Sequence, residues 1–404
     1  TWAAIRMPSG GHTWTRWRRR GCNAEHGAHA VSLRLLHTAD WQLGRPFRTL
    51  PPDVAPLLRE ARLAAVRTIA GLAKQHEVAA VLVAGDVFDS NLVPERTIVQ
   101  ALAAMRGFPG PWVLLPGNHD ALLSEGVWSR LERLGRPANL LVAGNAAPMT
   151  LADGRLVVLP APLTERHTAD DLTAWMDQAT SPSGALRIGL AHGAVSGRLP
   201  ESADAPNPID SERAARARLD YLALGDWHGT LEIAPRTWYA GTPEPDRFRT
   251  NDAGNVLLVE LEVGRDPVVT KLPTARHAWR PLELELTGVT DPKAALDALL
   301  SGATAPECLL VQLTLAGIVD LAARAALESA LERWSGELCH LEVRDRALAE
   351  PSERDLLALS GSPVVGTVAR ELAALAAEGQ GQSEAAGLAL RLLYQEHRRL
   401  GPDG

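Results

Sequence analysis

The chain predicts a layered α/β protein with a small second domain and a helical C-terminal segment. Three observations carry that expectation. From residue 31 onward, short apolar runs alternate with helical stretches. Nearly every run closes on a polar side chain. After about residue 275 the alternation restarts on a smaller scale.

The elements follow in order. Strands are expected in LRLLH (33–37), VAAVLVAG (78–85), PWVLLPG (111–117), RLVVLPA (155–161), LRIGLAHG (186–193), YLALGD (221–226) and NVLLVELEV (255–263). Helices fall over residues 54–75 and 95–105. WRPLELELTG, a helix over 293–300, ECLLVQLTLAG, a helix over 322–334 and ELCHLEVRDRA read as βαβαβ. Ser362-Pro363 caps a further helix, in which Val364, Val368, Leu372 and Leu375 recur at helical spacing. Gly379 to Gln382 breaks it, and Ser383 opens another that ends in His397-Arg398-Arg399. The expected divisions are 1–30, 31–272, 273–350 and 351–404. Residues 1–30 have neither strand nor helix periodicity and no apolar signal segment, so they are expected to be a disordered extension or an expression or start-site artefact.

Apolar residues make up 46 % of the chain and charged residues 22 %, which excludes a disordered protein. No apolar run of about 18 residues predicts a membrane helix. Three scattered cysteines, without Cys-x-x-Cys, argue against a disulfide frame or structural zinc and fit a reducing, cytoplasmic location. The net charge of −7 has the wrong sign for binding nucleic acid by bulk charge. Five arginines and one glutamate in residues 1–30 make the remainder more acidic still. Any affinity for DNA must therefore come from a local groove, metal ions or a partner.

The strand ends read HTADWQ, AGDVFDS, LPGNHD, LAHG and LGDWHG. Ligands in open α/β sheets bind just beyond the carboxyl ends of strands. A pair of divalent ions clamping a phosphate needs a shared carboxylate and about three further ligands each. Asp86 suits the bridge, because Gly85 allows a sharp turn beneath it. Asp40 adds a carboxylate, Asn118 an amide oxygen, and His192 and His228 imidazole nitrogens. His119 projects differently from Asn118 and suits a proton donor to a leaving alkoxide, with Asp120 placed to orient it. A lone Gly-Asp is usually a turn; the ordered set of five is the signal.

That order resembles the calcineurin-like metallophosphoesterase superfamily, whose pattern is Asp-x-His, Gly-Asp-x-x-Asp/Asn, Gly-Asn-His-Asp/Glu, His and Gly-His-x-His. Within it, LLHTADWQLGRPF, AGDVFDS, LPGNHD, YLALGDWHG, YAGTPEPDRF and NVLLVELE resemble the SbcD-type DNA repair exonuclease subunits, over roughly residues 31–265. The resemblance implies a β-sandwich flanked by helices, a small capping domain, Mn²⁺-dependent cleavage of DNA and an SMC-like ATPase of the SbcC type docked on the C-terminal helices. It also implies a first metal on Asp40, Gln42, Asp86 and His228, a second on Asp86, Asn118, His192 and Asp226, and His119 as the catalytic histidine.

Two positions depart from the family pattern. Gln42 replaces the histidine of Asp-x-His, and Asp226 replaces the first histidine of Gly-His-x-His. Both exchange nitrogen for oxygen and move the site toward hard ions such as Mn²⁺ or Mg²⁺. The third carboxylate lowers the residual charge, and the first metal is expected to be the labile one.

Other residues weigh less. Asp89, Arg45 and Arg48 are candidates for touching substrate, with a loop contact and solvated arginines as the plainer readings. His37 reads as structural, and Trp41 and Trp227 as wedges within the ligand loops. The apolar stripe near the C-terminus reads as core packing or as the ATPase dock, and a homodimer is also compatible with the sequence. The leading function is a metal-dependent DNA nuclease subunit. The alternatives are a phosphodiesterase of the same fold acting on small nucleotides and a degenerate scaffold that binds DNA or an ATPase.

Overall fold

The computed structural model describes residues 32–198, 207–302, 305–350, 363–377 and 382–400; the 1–30 segment and the Ser362 cap expected above lie outside them. The first sheet grows from β1 (Ser32–Thr38), β2 (Ala80–Val83), β3 (Trp112–Leu114) and β4 (Leu140–Val142), paired in parallel in that order. Alternate side chains of these strands go to opposite faces. Val81, Val83, Trp112 and Leu114 pack under the helices α1 (Val54–Gln75), α2 (Glu95–Met105) and α3 (Val127–Arg133). Leu33, Leu35, Leu82 and Val113 point the other way, into the gap between sheets. Because both faces are covered, the strands read as continuous apolar runs.

The second sheet is built from β5 (Met149–Leu151), β6 (Leu156–Ala161), β7 (Leu186–His192), β10 (Tyr221–Gly225), β11 (Leu231–Ala234) and β12 (Thr237–Tyr239). A two-stranded ribbon, β8 (Ala194–Val195) and β9 (Pro208–Ile209), and a short helix, α4 (Arg213–Arg216), lie in the connection from β7 to β10. The strands pair in the order β11-β12-β10-β7-β6-β5. Leu156, Val158, Ile188, Leu190, Tyr221 and Ala223 face the first sheet across one shared core. Burying a side chain of this size stabilises by about 1.5–3 kcal/mol. The chain then returns to the first sheet through β13 (Asn255–Glu262), antiparallel to β1, and β14 (Val268–Pro273), antiparallel to β13. His37 ties the two sheets, with Nδ1 2.9 Å from the Tyr221 hydroxyl and Nε2 3.1 Å from the Leu224 carbonyl. Burial pushes its imidazole down to about 3 and keeps it neutral.

Beyond this sandwich, β15 (Ala278–Glu285), β16 (Leu309–Ala316) and β18 (His340–Asp345) form a parallel sheet with β16 at its centre. A small parallel pair, β17 (Ile318–Asp320) and β19 (Leu348–Glu350), lies beside it in sequence. Helices α5 (Pro292–Leu300) and α6 (Leu321–Glu337) help build its core with Leu284, Leu296, Leu313, Leu327 and Trp334. Asp291 caps α5 by accepting from the Ala294 amide at 2.9 Å. Phe47, Val54, Ala55 and Leu58 meet Leu310, Trp279 and Phe248 in one apolar cluster that joins this sheet to the start of α1. At the end, α7 (Pro363–Ala377) and α8 (Ser383–Leu400) pack around Ala369, Leu390 and Tyr394. Leu372 packs against that cluster, whereas Val364, Val368 and Leu375 remain exposed. No helix among the described residues is long and apolar enough to cross a membrane.

The layered α/β class and the helix-flanked sandwich agree with the expectation. Strands β4, β5, β11, β12 and β14 lie outside the runs expected from the sequence; β14, exposed along much of its length, carries no continuous apolar run.

Candidate metal centre

The site forms where parallel strands from both sheets end. The loops after β1, β2, β3 and β10 carry Asp40, Asp86, Asn118-His119 and Asp226-Trp227-His228, and His192 is the last residue of β7. Three of the carboxylates adopt left-handed backbone, with φ of 55° at Asp40, 54° at Asp86 and 99° at Asp226. Aspartate tolerates this region better than most residues, and such conformations concentrate at functional sites. Glycines let the loops close on one another. A Cβ on Gly85, whose φ is +91°, would lie 2.2 Å from His192 Nδ1, and one on Gly117 would lie 2.3 Å from Asp86 Oδ1.

Ligand atoms of Asp40, Asp86 and His192 all lie within 4.8 Å of one another, and all three residues are buried. The Nδ1 of His192 is 2.8 Å from the Ala84 carbonyl, which leaves Nε2 facing Asp86 Oδ1 at 3.5 Å and Asp226 Oδ1 at 3.6 Å. Asn118 donates through Nδ2 to Asp226 Oδ1 at 3.3 Å. Its Oδ1, like His192 Nε2, is buried without a hydrogen-bond partner. An unsatisfied buried polar atom costs about 1–3 kcal/mol. Two of them beside crowded carboxylates call for a ligand.

The charges agree. Burial pushes Asp40 up to about 6, opposed by His228 and His192 and reinforced by Asp86 and Asp226. Burial also works to lower the His192 imidazole, but Asp86, Asp226 and Asp40 outweigh it and raise the group to about 9. Carboxylate, amide and imidazole donors together fit a divalent cation.

The other predicted ligands are arranged differently. Gln42 turns its Nε2 toward Asp86 Oδ2 at 3.3 Å and His228 Nε2 at 3.4 Å, while its Oε1 accepts from Arg45 NH1. His228 Nδ1 lies 3.0 Å from Asp246 Oδ2. The sequence expects Asp40 and Asp86 to share an ion with Gln42 and His228; the structure brings Asp40 and Asp86 together with His192.

Residues 33–229 match the family model "Calcineurin-like phosphoesterase". This segment is a calcineurin-like phosphoesterase domain. The chain is 26 % identical to the Bacillus subtilis protein named "Uncharacterized metallophosphoesterase YhaO" over 243 residues, which cover 56 % of this chain and 57 % of that one. It is 27 % identical to the "DNA double-strand break repair protein Mre11" of Aeropyrum pernix over 282 residues, 63 % of this chain and 64 % of that one. Over 94 residues it is 36 % identical to the SbcCD nuclease subunit of Escherichia coli, covering 22 % of each chain. The chain thus spans less than two thirds of the length of these relatives.

In the phosphoesterase domain, His119 stands at the wall of a cleft of about 500 Å³ lined also by Arg45, Arg48, Asp89, Arg247, Trp279 and Glu342. The His119 backbone amide donates to Asp86 Oδ1 at 2.9 Å. Its Nδ1 lies 2.9 Å from the Asp89 carbonyl, leaving Nε2 3.9 Å from Asp86 Oδ2. Asp120 does not orient His119. Its Oδ2 accepts from the Phe88 amide at 3.0 Å and its Oδ1 from the Gly117 amide at 2.7 Å. The adjacent position in sequence hid a carboxylate that turns inward to staple two ligand loops, and the orienting group is the Asp89 backbone. Trp41 is buried, donates to Thr38 Oγ1 at 2.9 Å and packs edge-on to Trp112. Trp227 is partly buried against the outer core of the second sheet.

Sequence reasoning passed over Arg62, Asp246 and Arg247. Asp246 is buried, and Arg45, Arg62 and Arg247 surround it at 3.1, 3.7 and 2.9 Å. Burial lowers Arg62 to about 10, so it stays charged at neutral pH. The available signal was an arginine on the core-facing side of an otherwise apolar helical stripe.

Proposed function

We propose that this chain is a metal-dependent phosphodiesterase that cuts DNA, working as the nuclease subunit of a repair complex with an SMC-like ATPase of the SbcC type. The observation that carries the reading is His119, placed between the Asp40–Asp86–His192 cluster and a cleft edged by Arg45, Arg48 and Arg247. The names of the Mre11 and SbcCD relatives favour DNA as the substrate.

A divalent cation, proposed to be Mn²⁺, would be held by Asp40, Asp86, Asn118, His192 and Asp226, and when bound would polarise a phosphate and activate water. The chain's own groups do the rest. The Asp89 carbonyl accepts a hydrogen bond from Nδ1–H of His119, so that the Nε2 of the imidazolium is free to protonate the leaving alkoxide as its P–O bond breaks. Arg45, Arg48 and Arg247 position the backbone phosphates. The acidic chain draws much of its DNA affinity from the partner, for which the exposed Val364, Val368 and Leu375 on α7 offer a dock. We propose residues 31–272 as the catalytic domain, 273–350 as the cap that brings Trp279 and Glu342 to the cleft, and the C-terminal helices as the docking segment, in a cytoplasmic protein.

A cleft of about 500 Å³ also suits a mononucleotide, which keeps the small-substrate reading in play. Purified protein with Mn²⁺ is incubated with single- and double-stranded DNA and with bis-p-nitrophenyl phosphate, beside His119→Ala. DNA cleavage lost in the variant is the expected result. Turnover of the small diester alone would transfer the assignment to a nucleotide phosphodiesterase, and silence on every substrate would leave a binding scaffold.

A further inference from the structure

We infer that the centre is built for one divalent cation, and that an arginine cluster anchored on Asp246 stands in for the second ion of the family pattern. This rests on the phosphoesterase reading and concerns how the same site grips its phosphate.

Gln42 has its side-chain amide oriented by its neighbours. Only its carbonyl oxygen is able to ligate a cation, and that oxygen is occupied by Arg45 NH1. The amide nitrogen is a donor and faces Asp86 Oδ2 at 3.3 Å and His228 Nε2 at 3.4 Å. Exchanging the two amide atoms would set NH₂ against a guanidinium and oxygen against a carboxylate. Both contacts would turn repulsive, so the neighbours dictate the orientation. The amide thus supplies hydrogen bonds to two groups that the family pattern assigns to an ion.

Among the described residues, Asp40, Asp86 and His192 are the one group of three His, Cys, Asp or Glu residues whose ligand atoms approach within 4.8 Å, and His228 is not in it. His228 has its Nδ1 3.0 Å from Asp246 Oδ2 and 3.0 Å from Arg247 NH2, and its Nε2 meets the Gln42 amide nitrogen at 3.4 Å.

Three guanidinium groups face the single buried carboxylate of Asp246. The surplus is as large as the charge on a divalent ion. Phe47 helps fix it in place, with the Arg45 and Arg62 guanidinium carbons 5.6 and 5.5 Å from its ring centre. Arg62 is buried beneath the loop, while Arg45 and Arg247 line the cleft with His119. A phosphate diester on the ion would therefore meet guanidinium donors on its other side, a pairing that favours planar two-point contact.

The test is a count. Full-length protein stripped with chelator is titrated with Mn²⁺ by calorimetry, and the bound metal is measured after gel filtration and by electron paramagnetic resonance. One Mn²⁺ per chain with the spectrum of an isolated ion is expected. Two per chain with an exchange-coupled spectrum would overturn the inference and leave the phosphoesterase reading standing. No binding would overturn both. Inorganic phosphate binding to the loaded protein supplies a second readout. Arg45→Met is expected to weaken phosphate by about tenfold or more while one Mn²⁺ stays bound. A loss below about twofold would remove Arg45 from the phosphate site.

Discussion

The imidazole Nδ1 of His228 lies 3.0 Å from Oδ2 of Asp246, and that same carboxylate is the shared counter-ion of Arg45, Arg62 and Arg247. One buried acid thus orients a histidine of the site and neutralises part of a cationic cluster at its rim. Asp246→Ala would leave the buried Arg62 without a counter-charge. Breaking a buried pair from one side costs about 3–5 kcal/mol, and urea unfolding should show a loss of that order.

The pH dependence of this cluster has a definite sign. Burial pushes the Asp246 carboxyl up, but His228, Arg247 and Arg62 outweigh it and hold it well below the usual carboxylate range. A depressed folded value means that the stabilisation is present above the unfolded value of about 3.9 and is lost as pH falls through the lower, folded one. Stability should therefore fall less steeply below about pH 4 in Asp246→Asn than in the wild type, as followed by circular dichroism.

His277 predicts the opposite limb. It is buried, with Nδ1 3.0 Å from Glu244 Oε1. Burial lowers its imidazole, yet hydrogen bonds to Cys339 and Glu244 overcome that and raise it to about 9. Its contribution is complete below the unfolded value of about 6.5 and fades as pH rises through about 9. The melting temperature should drop between about pH 6.5 and 9, and His277→Gln should flatten that drop.

His119 and Asp120 are neighbours in sequence with different predicted roles. His119→Ala should keep its melting temperature and lose about 10²–10⁴ in cleavage rate. Asp120→Asn places an amide where two backbone N–H groups need oxygens, so it should lose about 1–3 kcal/mol of stability. The molecules that remain folded should still cleave. A normal melting temperature with abolished cleavage in Asp120→Asn would restore it to the chemistry.

Gly85 has no room for a methyl group. Its φ of +91° and the 2.2 Å that would separate an added Cβ from His192 Nδ1 predict that Gly85→Ala costs about 1–3 kcal/mol. Mn²⁺ binding should weaken in parallel, because His192 has to move. Unchanged Mn²⁺ affinity would show that the loop accommodates the methyl without disturbing that ligand.

What the sequence determined by itself was local. Apolar runs covered on both faces mark β1, β2, β7 and β10, and the polar residue closing each run picks out Asp40, Asp86, His192 and Asp226. These signals survive in one dimension because strand periodicity and strand termination act over a few residues. The tertiary structure decided which ligands meet. Asp40 and Asp86 meet His192, Gln42 presents its amide nitrogen to Asp86 and His228, and Asp120 turns to the Phe88 and Gly117 amides. Asp246 and Arg62 join the site from distant segments, with Asp246 paired to a histidine 18 residues back and Arg62 reaching it across the fold. Gln42 and His228 meet over a separation of 186 residues. Orientation at such contacts depends on which donors and acceptors the folded loops bring together, and residue spacing does not encode that.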